Sequence, residues 1–253
     1  QKAFQEAQGY LAAGEQAKAL EALTTAVLWD RELAPAYFAR ARVYIAAARW
    51  EDARRDLTSV LSLNVSDPDA LFLRAYANLA LNEPKGALAD LRNAVAAGYS
   101  SPDLYRVRGL THLALDEFEP AYDQCNRAVE SGSADFQVLG CMTRSSLELG
   151  KYAEAIRWAN QALTARPDYL PSRLDRAVAM GYTGDLVTAL QEMDQILLRE
   201  PKNLRALRWK GIALLGVGKP FEALSLLESA IEIDPSDAEL RLARGAVLAR
   251  VGR

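Results

Sequence analysis

An alanine returns at a fixed interval along this chain. Ala19, Ala53, Ala87, Ala121, Ala155, Ala189 and Ala223 are spaced by 34 residues with no gap or insertion. A period of that length means that one supersecondary unit is stacked repeatedly, each copy burying its apolar face against its neighbours. Other columns keep the same step. Seven residues after each marker stand Ala26, Val60, Ala94, Ala128, Ala162, Ile196 and Ala230. Twelve before it stand Ala7, Ala41, Ala75, Gly109, Thr143, Ala177 and Gly211, with a further Gly245. Small residues in these columns predict close crossings of two helices. Five before the marker stand Gly14, Ala48, Asn82, Asp116, Gly150, Gly184 and Gly218, then Gly252. Gly, Asn and Asp there suit a helix end that enters a tight turn of positive φ. Pro167, Pro201 and Pro235 close the second helix of the last three full repeats.

Between these marks the apolar spacing is helical. Leu20, Leu23, Val27 and Leu28 are expected on one face, as are Ile156, Ala159, Ala162 and Leu163. Each repeat therefore reads as helix, turn, helix, turn. Half of the 253 residues are hydrophobic, enough for a long core. A net charge of −3 offers no basic surface on the scale of the whole chain, so nucleic acid is not an expected partner. No apolar run has the roughly 18 residues needed to span a bilayer. Val43–Ala48 is bounded by Arg42 and Arg49. The chain has no start Met and no signal-like opening at Gln1, as expected of a mature form or of a piece of something longer. Cys125 and Cys141 are too few for a disulfide framework or a closed zinc site, and compartment is not readable from them.

The strings LELGKYAEAIRWANQALTARPDY (147–169) and LLGVGKPFEALSLLESAIEIDPSD (214–237) resemble the tetratricopeptide motif. The resemblance covers essentially the whole chain. It implies an all-α, right-handed superhelical solenoid of about 7.5 helix-turn-helix repeats and fifteen helices. The approximate repeats are 1–33, 34–67, 68–101, 102–135, 136–169, 170–203 and 204–237, with a half repeat or cap at 238–253. Arg31, Val65, Tyr99 and Ser133 stand where the usual closing proline is missing. Arg40, Arg74, Arg108, Arg176, Lys210 and Arg244 replace the common leucine of the first helix, and Asp56, Asp90 and Glu192 follow sixteen residues after three of them. This resembles a variant motif with an ion pair between helices, either within one repeat or with the next. Structural register is the reading preferred for it.

In this family the first helices line a concave groove, which implies that a protein or peptide partner lies there. One groove column holds Phe4, Phe38, Phe72, Arg106 and Arg208; a neighbouring one holds Arg42, Tyr76 and Arg144. The phenylalanines and Tyr76 either anchor a partner's apolar side chains or finish the packing between first helices. Arg42, Arg106, Arg144, Arg205 and Arg208, opposed by Asp175, suit a carboxylate or acidic partner, or else form a solvated face. A family subtype clamps acidic C-terminal tails with Lys and Asn. The matching positions here are Phe38, Arg42, Leu73, Asp103 and Val107, so that clamp is not expected.

No enzyme is expected, and no catalytic residue, cofactor or metal ligand. His112 shares a column with Tyr10, Tyr44, Leu214 and Leu248 and reads as a packed helix residue without a partner acid. Cys125 shares one with Leu23, Leu57, Leu91 and Leu227 and reads as a small core hydrophobe; Cys141 is placed closer to the groove. There is no phosphate-binding loop. The expected function is that of a protein–protein interaction scaffold. The rivals are a regulatory or targeting module of a larger enzyme or export assembly, and a self-assembling scaffold. Oligomeric state is left open.

Overall fold

Ala, Leu, Arg and Glu supply good helix-forming stretches, and the termini are marked by residues that suit them. Pro68, Pro84, Pro102 and Pro220 each open a helix, where a missing N–H costs nothing. Asp67, Asp135, Asn203 and Asp237 cap helices by accepting hydrogen bonds from backbone N–H groups in the first turn. A computed structural model describes residues 1–252. Among them are fifteen α-helices and no strand.

Packing divides the chain into two compact units, Gln1–Pro120 and Ala121–Arg253. The first contains α1 (Lys2–Ala12), α2 (Gln16–Trp29), α3 (Ala34–Ala46), α4 (Trp50–Leu63), α5 (Pro68–Ala80), α6 (Pro84–Ala96) and α7 (Pro102–Ala114), and the opening of α8 (Phe118–Glu130). The second contains the rest of α8, then α9 (Phe136–Glu148), α10 (Tyr152–Ala165), α11 (Leu170–Thr183), α12 (Leu186–Arg199), α13 (Leu204–Gly216), α14 (Pro220–Ile233) and α15 (Ala238–Arg250). Odd-numbered helices are the first helices of the repeats; even-numbered ones are the second. Consecutive helices pack on each other from α1 to α7 and from α9 to α15, and first helices such as α9 and α11 also touch.

The marker alanines are all at 0% exposure. They lie on the face that each second helix turns to its neighbours, where close packing favours a small side chain. Gly211 in α13 shows the tightness of the matching first-helix column: a Cβ there would lie 2.8 Å from Leu227 Cγ on α14. The turns between the two helices of a repeat use φ > 0, at Ala48 (53°), Asn82 (61°) and Asp116 (55°) as well as at glycines. The next residue's N–H returns to a carbonyl five residues back, as in Arg49 N to Tyr44 O at 2.8 Å, which satisfies the open end of the helix. Leu28 departs from the expected face. It lies at the end of α2, 71% exposed, beside Trp29 at 85%.

In three repeats the charged register is internal to the repeat. Arg40 donates to Asp56 through Nε (2.7 Å) and Nη2 (2.8 Å), and Arg74 to Asp90 through Nε (2.8 Å) and Nη2 (2.6 Å). Arg176 and Glu192 repeat the pairing. The remaining guanidinium nitrogen reaches back to the preceding second helix, as in Arg176 Nη1 to Asn160 Oδ1 at 2.6 Å. Lys210 finds Leu226 sixteen residues on, and pairs instead with Asp194 on α12 at 2.7 Å.

The cysteine reading needs correction. Cys125 is in the core as expected, but it is bonded to Cys141, which is buried rather than near an open face. Column position alone gives each residue's depth; it does not say which column on α9 faces α8. His112 is likewise buried, yet it does have an acid partner: its Nδ1 lies 2.6 Å from Glu117 in the following turn. No helix among the described residues is long and apolar enough to cross a membrane.

Candidate functional site

In the first compact unit the expected aromatic residues are largely absorbed by packing. Phe72 on α5 is 7% exposed and stacks on Tyr99, ring centroids 4.4 Å apart. Phe4 is half-buried against the cluster containing Ala7, Leu23 and Val27. Tyr76 meets Trp50 edge-on at 5.5 Å, and the Arg106 guanidinium sits 5.4 Å from the Tyr76 ring centroid. Phe38 is only half-buried, and with the exposed Arg42 it lines a cavity of about 380 Å³ whose other walls include Leu11, Gln16, Val43 and Ala46. Of the candidates in this unit, Phe38 and Arg42 are brought together on one accessible, mainly apolar hollow between α1, α2 and α3.

In the second unit, three basic candidates converge. Asp175 on α11 is 3% exposed. It accepts from Arg144 Nη1 on α9 at 3.3 Å and from Arg205 Nη2 on α13 at 2.5 Å. One carboxylate thus links three first helices. Burial pushes it up to about 7, and Arg144 pulls it back. Arg205 is a second cation in direct contact with it and acts in the same sense as Arg144. Arg144 also pairs with Glu148 at 3.0 Å, and Arg208 contacts Glu239. Burial, the largest influence, holds Arg208 below its ordinary value; Arg144 pushes the same way and Asp237 opposes.

A cleft of about 430 Å³ is lined by Arg144, Arg205 and Arg208, by the carboxylates Glu148, Asp237 and Glu239, and by Trp209. An aromatic strip runs on from Trp209. Its ring meets Tyr182 edge-on at 5.4 Å, and Tyr182, 53% exposed, stacks on Tyr152 at 4.5 Å. Two of the three arginines of the cleft, Arg144 and Arg205, are held by the buried Asp175. The polar groups of the cleft can accept a carboxylate or donate to backbone carbonyls. Tyr182, Glu148 and Glu239 were not foreseen from the sequence. They lie outside the two columns read as groove-facing, near the ends of their helices. Among the described residues no cluster of His, Cys, Asp or Glu could hold a metal ion.

A family model for the tetratricopeptide repeat matches residues 38–102 and 174–238, more than half of the chain. This chain is a tetratricopeptide-repeat protein. Solved tetratricopeptide structures share its all-α solenoid fold. A chain of the APC/C hetero-tetramer Cut9–Hcn1 matches with a TM-score of 0.71 at 16% identity, over 96% of this chain and 48% of that one. PilF of Pseudomonas aeruginosa matches at 0.62 with 20% identity, over 84% and 97% of the two chains. A tetratricopeptide repeat protein from Parabacteroides merdae matches at 0.59 with 15% identity, over 98% of each. The chain thus spans about half the length of the first of these relatives. At these identities the likeness is one of fold. No curated protein sequence matches significantly. Tetratricopeptide solenoids are protein–protein interaction scaffolds and are typically non-catalytic.

Proposed function

We propose that this tetratricopeptide-repeat protein holds a peptide segment or helix of a partner protein on the faces of its first helices. The observation that carries the reading is the convergence of Arg144, Arg205 and Arg208 with Trp209 on one cleft, with two of the guanidiniums fixed by the buried Asp175. Donors held in place before binding lower the ordering cost of association. Trp209 and Tyr182 offer rigid, amphipathic contact area of the kind that dominates interface energetics. The Phe38–Arg42 hollow is a second contact of the same kind in the other unit, where an apolar side chain of the partner would sit.

The test is site-specific photo-crosslinking in the native source. A photoreactive residue replaces Arg42, Arg208 or, as control, the exposed Thr164 on the second helix α10. Partner adducts from positions 42 and 208, absent from 164, support the reading. Adducts from 164 alone place binding on the second helices and refute it.

A further inference from the structure

Cys125 and Cys141 are the chain's two cysteines, and they are joined. Cys125 is 0% exposed on α8, Cys141 is 1% exposed on α9, and their Cα atoms are 6.5 Å apart. At the Cys125 position other repeats place Leu23, Leu57, Leu91 and Leu227, each at 0% exposure. A leucine would fill this site as well as elsewhere, so packing alone does not call for sulfur. The surroundings are unusually polar for a core: Gln124, Thr143, Ser145 and Ser146 are all at least nine-tenths buried. The Oε1 of Gln124 and the hydroxyls of Ser145 and Ser146 have no hydrogen-bond partner there. The turn from α8 to α9 also has Ser133 where later repeats carry the closing proline. The bond thus ties two helices that carry buried polar groups without partners and a turn without the closing proline.

Reduction by thiol–disulfide exchange requires a thiolate to reach a sulfur atom in line with the bond. Neither sulfur is accessible until α8 and α9 separate. A cross-link so protected is permanent rather than switched, and permanent disulfides belong to oxidising environments. We propose that Cys125–Cys141 is a structural cross-link and that this chain folds and acts in an oxidising compartment. The bond forms before the two helices close. Both thiols give up their protons and together two electrons to an external disulfide, which leaves as two thiols while the new S–S bond forms.

The protein is taken from its native source into excess N-ethylmaleimide and digested without reductant. The expected result is a linked pair of peptides holding Cys125 and Cys141, with neither cysteine alkylated. Alkylation of both cysteines overturns the proposal. A second measurement tests the protection in purified oxidised protein. Thiol release at one fixed dithiothreitol concentration is expected to be slow in native buffer and to rise at least tenfold in moderate urea. A native-buffer rate that moderate urea does not raise overturns the permanence, because the sulfur would then be open to attack without separation of the helices.

Discussion

Replacing Asp90 with alanine is expected to destabilise the protein by about 3 kcal/mol, the low end of the roughly 3–5 kcal/mol lost when one partner of a buried ion pair is removed. The reasoning starts from the Asp90 side chain, 6% exposed, which accepts three hydrogen bonds: two from Arg74 and one from Asn78 Nδ2 at 3.1 Å. Alanine leaves a guanidinium and a buried amide without an acceptor. The Arg74 side chain is 24% exposed, so water takes over part of the lost contact, which places the cost at the low end. Two comparisons separate this from a general loss of charge. Arg54→Ala breaks an exposed pair with Glu83 and is expected to cost less than about 1 kcal/mol. Arg74→Leu combined with Asp90→Leu removes both charges and restores apolar contact, and is expected to cost less than Asp90→Ala alone. Urea unfolding gives the free energies. Hydrogen exchange shows whether the loss is confined to α5, α6 and their neighbours, as nearest-neighbour stability requires. A cost below 1 kcal/mol for Asp90→Ala, or a double variant as costly as the sum of its single changes, refutes the buried-pair argument.

Other outcomes are as definite. The Asp175 carboxyl is raised in the folded state to about 7, from an ordinary 3.8. Its contribution to stability is therefore full below about pH 4 and lost as pH rises through about 7. Urea midpoints should fall between pH 5 and pH 8 more steeply in the parent than in Asp175→Asn; equal slopes would mean that Arg144 and Arg205 hold the carboxylate ionised throughout. Ala48 sits at φ 53°, so Ala48→Gly is expected to stabilise by about 0.5 kcal/mol in calorimetry. Gly211→Ala pushes a Cβ to 2.8 Å from Leu227 Cγ and is expected to cost about 2 kcal/mol, whereas Gly181→Ala on α11 meets nothing within 4 Å and should be neutral or stabilising.

The fold was legible because repetition converts single residues into columns. One alanine says little; seven in register, all of which turn out to be fully buried, fix a helix face. The turn column was equally plain, since Gly, Asn and Asp share an affinity for positive φ. The arginine column announced ion pairs, but periodicity cannot tell a neighbour sixteen residues on from one sixteen residues back. Arg176 uses both directions, and Lys210 takes the backward one because Leu226 offers no charge. What a column hides is any pairing that occurs once. The Cys125–Cys141 bond, the His112–Glu117 pair and the Arg144–Asp175–Arg205 link each join different columns at one place along the chain only. The phenylalanine column shows the complementary limit. Phe38 and Phe72 share a register, yet Phe72 has Tyr99 to cover it and Phe38 opens onto a hollow.

Asp175 is one carboxylate divided between two arginines on opposite sides of it, so the two cannot respond independently. In the proposed binding mode, an anion that engaged Arg205 would loosen that arginine's hold, and Arg144 would inherit a larger share of Asp175. It would then have less to offer Glu148 or any second ligand group nearby. In that binding mode, occupancy at one end of the cleft would in this way be felt at the other, through the one carboxylate that α9, α11 and α13 share.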